Sequence, residues 1–155
     1  LSKELLHQDQ ERKGTAILFD QDHTAAVYAA SELLAQRYQR LIIVTPKTTI
    51  GSKVNYISLI GVMRRLSILR IDIISTTVPV ALNNETLLLR NILNGDETEI
   101  EGVTCLTYAT PRKVDDELMV SVRGAGFPAQ FVGDCNAPRG MAAAIHEGHQ
   151  AGITV

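Results

Sequence analysis

The chain has 155 residues, of which 45% are apolar and 21% charged, and a formal net charge of −2 at neutral pH. That is enough for one ordinary domain, or one and a fraction, with a real core. No basic stripe appears and aromatics make up only 5% of the residues, so nucleic-acid binding has little support. The apolar runs are far shorter than a membrane span, and Leu-Ser-Lys-Glu-Leu-Leu at the start lacks the pattern of a secretion signal. The first residue is Leu1 and not Met, and the expectation is a fragment or a processed chain. Cys105 and Cys135 are too few for a disulfide framework and fit a reducing, cytoplasmic setting. Cys105 reads as a small buried strand residue. Cys135 is either a small side chain in a turn or a neighbour of a ligand.

Residues 1–13 are polar and charged, with a weak helical pattern at Leu5 and Leu6, and read as a linker or surface helix. Thr15–Asp20 is a continuous apolar run closed by a carboxylate, the pattern of a strand buried on both faces of a parallel sheet. Residues 24–37 follow as a helix whose small residues, Ala25, Ala26, Ala29 and Ala30, form a face suited to close approach to a sheet. Leu41–Thr45, stopped by Pro46, is the next buried strand and completes a βαβ unit. A second helix is predicted over Tyr56–Leu69, with Leu59, Ile60, Met63 and Leu66 inward and Arg64 and Arg65 outward. Ile71–Ser75 is a third strand.

The pattern then changes. Val78–Leu82, Thr86–Asn91 and Glu97–Glu101 read as short strands separated by the turn sequences Asn83-Asn84 and Asn94-Gly95. An antiparallel meander thus stands where a doubly wound fold usually has a helix. Thr104–Thr110 returns as a fourth parallel strand, and Lys113–Arg123 as a helix. After Gly124-Ala125-Gly126 and Pro128, a short strand (Phe131, Val132) runs through Gly133-Asp134 and a turn into an Ala-rich helix.

That last stretch carries the chemistry. A strand, a Gly-Asp and a helix N-terminus are a common way to hold a nucleotide diphosphate: the glycine admits close approach, the carboxylate takes a sugar or ribityl hydroxyl, and the helix end faces phosphate. Asp134 as a helix cap and Gly133 as a turn residue explain the same residues equally well. The first strand-to-helix turn, Asp20-Gln21-Asp22-His23-Thr24, has none of the glycines of a dinucleotide-binding loop. Its two carboxylates satisfy backbone N–H groups at the helix mouth and repel a phosphate. Thr45 stands where an acidic residue would read an adenosine ribose. This half has the framework of an NAD(P)H site with degenerate loop chemistry. Asp20, Asp22 and His23 as a metal or acid–base cluster, His146 and His149 as a ligand pair, and Lys47 as a 2′-phosphate contact are weaker readings than solvated or structural side chains.

The order Ala16-Ile-Leu-Phe-Asp-Gln-Asp-His23, Glu32-Leu-Leu-Ala-Gln36 and Leu41-Ile-Ile-Val-Thr-Pro46 resembles the C-terminal region of the trimethylamine dehydrogenase family. These are old-yellow-enzyme-like NADH:flavin oxidoreductases, 2,4-dienoyl-CoA reductase among them. Met63-Arg-Arg-Leu66, Tyr108-Ala-Thr-Pro-Arg112, Val132-Gly-Asp-Cys-Asn-Ala-Pro-Arg139 and His146-Glu-Gly-His-Gln-Ala-Gly152 keep the family's order, and Gly-Asp-x-x-x-Pro-Arg is the most specific part. The resemblance implies a three-layer α/β, Rossmann-like domain of the glutathione-reductase FAD/NAD-binding type, with a parallel sheet and an antiparallel meander crossover. It implies that residues 14–126 are an inserted small NAD-binding-like domain and residues 127–155 the chain's return to an FAD- or ADP-binding domain. Gly133, Asp134, Pro138 and Arg139 would then lie at the diphosphate–ribityl region, with Asp20, Asp22, His23 and Thr45 at the degenerate NAD(P)H mouth.

On that comparison the flavin barrel with its FMN and iron–sulfur cluster, and the first Gly-rich unit of the FAD domain, lie outside this chain and would be its partners. Pro111 stands where such flavoproteins have glycine, and its fixed φ restricts ligand approach there. The expected function is a nucleotide-supporting part of a flavin-dependent oxidoreductase, not catalytic by itself and not retaining FAD alone. A structural or interaction module, and a working NAD(P)H domain with a nonstandard loop, are the alternatives. A homo-oligomer is compatible with all three.

Overall fold

The computed structural model describes residues 12–114 and 116–154, which form two compact units divided between Thr110 and Pro111. The linker or surface helix expected over residues 1–13 falls outside the described residues as far as position 11; Arg12 already opens the first strand.

The first unit runs β1 (Arg12–Asp20), α1 (Ala25–Arg37), β2 (Tyr38–Val44), α2 (Tyr56–Ile68), β3 (Asp72–Ile74), β4 (Thr77–Asn83), β5 (Thr86–Asn91), β6 (Glu97–Ile100) and β7 (Val103–Ala109). Four strands make a sheet in the order β3-β2-β1-β7, and every neighbouring pair in it is parallel. The other three, β4-β5-β6, make an antiparallel meander. Strand β1 is central, which is why its sequence is apolar on both faces. Ala16 and Leu18, with Leu41 and Ile43 of β2, join Val27, Tyr28, Leu34, Val62 and Leu66 of the two helices in one core. Ile17, Ile42 and Val44 point the other way and pack on Leu87 and Leu89 of the meander and on Val103. The layers are therefore helices, parallel sheet and meander, as the sequence predicts.

The hairpin between β4 and β5 turns at Asn84 and Glu85, with φ of 45° and 67°. Positive φ at both central residues is what a two-residue type I′ turn demands, one position later than the expected Asn83-Asn84.

Two helix faces differ from expectation. On α1 the buried residues are Val27, Tyr28, Ser31 and Leu34, while Ala25, Ala26 and Ala29 are exposed. The Val27–Tyr28–Leu34 face removes far more apolar area from water than an alanine face could, and so it wins the sheet. On α2 the inward residues are Val62 and Leu66, with Leu59 and Leu69 packed beside them, whereas Ile60 and Met63 are exposed. That stripe at 59, 62, 66 and 69 is the expected one rotated by about one position. Cys105 is only partly buried, at the margin of the helix-side core.

The second unit contains α3 (Asp116–Gly124), a 3-10 turn at Gly133–Cys135, and α4 (Met141–Thr154). Phe131 and Val132 are not a strand: Val132 is extended (φ −135°, ψ 156°), but among the described residues no strand pairs with it. Extended backbone without a ladder partner stays a loop. None of this unit's described side chains is buried.

Candidate functional site

The predicted residues fall in two groups, one in each unit. In the first unit the turn after β1 is closed around the Asp20 carboxylate, which is wholly buried. Asp20 Oδ1 accepts the backbone N–H groups of Asp22 (3.1 Å) and His23 (2.8 Å). Oδ2 accepts the Tyr28 hydroxyl at 2.8 Å, and that hydroxyl oxygen in turn accepts the Gly51 N–H at 2.5 Å. One carboxylate thus satisfies the amides that a phosphate loop would offer to its ligand, and it ties the loop after β2 to the turn after β1.

His23 fills the rest of the turn. It sits in the left-handed region with φ of 59°, an uncommon place for a side chain of this size. Its ring is fully buried, with Nε2 3.3 Å from Thr45 Oγ1 and Nδ1 3.5 Å from Asp20 Oδ2, the latter without hydrogen-bond geometry. Burial pushes the imidazole below its ordinary range; Asp20 opposes this, while Lys47 and Lys53 act with burial and Asp22 against it. Burial thus favours the neutral form of the His23 ring. Burial, helped by the hydrogen bond to Asp20, likewise raises the Tyr28 phenol above its ordinary range. Thr45 is buried as well, and its hydroxyl accepts the Lys47 N–H at 3.2 Å.

Asp22 is the outward member of the group. Its carboxylate accepts the Thr24 hydroxyl (2.8 Å) and pairs with Lys53 (3.0 Å). The helix cap itself is Thr24, with no side-chain cap hydrogen bond. The carboxylates thus satisfy amides of the turn, and not those of the helix as expected. Asp20, His23 and Thr45 are interior residues, leaving Asp22 as the candidate with partial exposure.

The second unit brings Gly133, Asp134, Pro138 and Arg139 into one loop ahead of α4. Gly133 has φ of 65°, and a Cβ there would lie 3.3 Å from that of Ala144. The glycine thus allows both the turn and the close approach of the loop to α4. Its N–H donates to Glu147 Oε2 at 2.7 Å, and the other oxygen of Glu147 pairs with Arg139. Asp134 is exposed and accepts Arg112 Nη1 through Oδ2 at 2.5 Å; its Oδ1 is 3.4 Å from the Arg139 N–H. Arg112 Nη2 also donates to the Arg139 carbonyl at 2.7 Å. The Asp134 side chain is about half exposed, at 52%. Glu147 and Arg112 are absent from the predicted set. Their only sequence signal is their place inside Tyr108–Arg112 and His146–Gly152, which says nothing of what they touch.

Among the described residues no group of His, Cys, Asp and Glu is arranged to hold a metal ion, and His146 and His149 are exposed. A cavity of about 270 Å³ between Ile74, Leu89 and Asn91 involves none of the predicted residues. No helix among the described residues is long and apolar enough to cross a membrane.

No family model matches the chain, and no curated protein matches it by sequence. Solved structures do match. Histamine dehydrogenase from Rhizobium sp. 4-9 superposes with a TM-score of 0.80 at 21% identity, over 94% of this chain and 24% of its own. 2-Naphthoyl-CoA reductase gives 0.75 at 19% identity, over 96% of this chain and 22% of its own. Thioredoxin reductase from Lactococcus lactis gives 0.67 at 17% identity, over 91% of this chain and 51% of its own. At such identities these likenesses establish the fold alone, a mixed α/β architecture with a parallel sheet and an antiparallel meander. They agree with the family resemblance read from the sequence. The chain spans about a quarter of the length of the first two proteins.

Proposed function

We propose that this chain is the nucleotide-supporting part of a larger flavin-dependent oxidoreductase, of the NADH:flavin oxidoreductase or amine dehydrogenase kind. The observation that carries this reading is the likeness to histamine dehydrogenase, which takes in 94% of this chain but only 24% of that protein. The Gly133-Asp134 loop ahead of α4 is where an FAD or ADP moiety would lie, with Asp134 taking a sugar or ribityl hydroxyl and Pro138 and Arg139 shaping the helix end. Residues 14–126 act as the inserted small domain and residues 127–155 as the returning segment of the FAD/ADP domain. FMN and an iron–sulfur cluster belong to a barrel outside this chain, and the redox chemistry is theirs. The setting is cytoplasmic.

The second unit supports a shared site. Met141, Ile145 and Ile153 lie along α4 at helical spacing and are each at least 65% exposed. An apolar stripe of this kind is what a helix that packs against further chain presents.

The first unit favours a second reading for its own half. The turn after β1 spends its amides on Asp20 and buries His23 and Thr45, so it serves as a structural module and not as an NAD(P)H site. Calorimetric titration with ADP, FAD, NADH and NADPH separates the readings. Preference for ADP or FAD supports the proposal, micromolar NADH binding points to a working dinucleotide site, and binding of none supports a purely structural role.

A further inference from the structure

Arg112 is the hub of the Gly133–Arg139 loop. Its guanidinium reaches Asp134 Oδ2 at 2.5 Å and the Arg139 carbonyl at 2.7 Å, and so spans the loop that carries the proposed nucleotide contacts. The loop's own cation, Arg139, pairs with Glu147, while Arg112 pairs with Asp134. Two donors in a fixed planar fork suit this double task, and a lysine ammonium cannot reproduce it. The pair is exposed, 63% for Arg112 and 52% for Asp134, so it contributes little to stability while still fixing an orientation. Its electrostatic effect is local. A bare carboxylate repels a diphosphate, whereas one balanced by a guanidinium can accept a sugar hydroxyl beside it.

We propose that Arg112 is a positioning residue of the nucleotide site. It sets the Asp134 carboxylate for a sugar or ribityl hydroxyl and compensates its charge toward the diphosphate. This rests on the proposed function above, and the test keeps the two apart. The full chain, its Arg112→Ala, Arg112→Lys and Asp134→Asn variants, and the Arg112→Ala/Asp134→Asn double variant are titrated with ADP by NMR, and their melting temperatures are measured.

The expected result is about fivefold weaker ADP binding for Arg112→Ala, with partial recovery in Arg112→Lys. The double variant should be no weaker than the poorer single, because both changes remove the same arrangement. Melting temperatures should stay within a few degrees of one another. Unchanged affinity in Arg112→Ala overturns the positioning role, and so does full additivity in the double variant. Failure of the unaltered chain to bind ADP overturns the nucleotide site itself. In that case amide exchange still reads the clasp, and unaltered exchange at Arg139 in Arg112→Ala shows that the guanidinium does not order the loop.

Discussion

The Tyr28 hydroxyl donates to the buried Asp20 carboxylate at 2.8 Å and accepts the Gly51 amide, so one phenol joins the turn after β1 to the loop after β2. In a dinucleotide fold these two loops form the mouth of the site; here they are stitched together by the protein's own groups.

Removing that hydroxyl should be costly. Tyr28→Phe leaves a buried carboxylate oxygen and a buried N–H without their partner, and about 2–4 kcal/mol of stability should be lost. Urea denaturation of the variant measures this. A loss below about 0.5 kcal/mol would mean that water replaces the phenol.

The buried imidazole makes stability depend on pH. The folded state lowers the His23 pKa, so the unfolded chain binds the extra proton first and stability falls as pH drops below the ordinary imidazole value. His23→Asn, which suits the left-handed backbone at this position, removes the titration without adding strain. Denaturation midpoints between about pH 8 and about pH 5 should decline less steeply in the variant than in the unaltered chain.

Much of this architecture is legible in sequence, for physical reasons. Strands β1 and β2 are buried on both faces, so Ile17–Phe19 and Leu41–Val44 announce a parallel sheet, and Asn-rich turns mark the meander. The orientation of α1 is less legible, because its alanines and its Val27–Leu34 face both keep helical spacing, and only packing decides between them. The Asp20 site is harder still. Its partners Tyr28 and Gly51 come from other elements, and nothing local says that this carboxylate turns inward. Arg112 lies 22 positions from Asp134, beyond the reach of any motif.

Two substitutions on α1 separate its faces. Leu34→Ala opens a cavity in the helix-side core and should cost about 2–4 kcal/mol, whereas Ala29→Gln on the exposed side should change stability by less than about 0.5 kcal/mol. The reverse ranking would place the alanines against the sheet.

Gly133→Ala meets strain in two ways: φ of 65° and a Cβ only 3.3 Å from that of Ala144. The left-handed backbone alone costs about 1–2 kcal/mol for a residue with a Cβ. Hydrogen exchange should therefore quicken at the Gly133 amide and across the following turn. A compensating Ala144→Gly should relieve only the contact, leaving most of the effect in place.

The central claim, that the nucleotide-supporting chemistry lies at the Gly133-Asp134 loop and not at the turn after β1, is tested most directly by mapping amide shifts in the full chain during titration with ADP and with NADH. ADP should move the amides of Gly133 to Arg139, and those of Gln21 to Thr24 should stay fixed with either ligand. Saturable NADH-dependent shifts at Gln21 to Thr24, with the Gly133 loop silent, would contradict it.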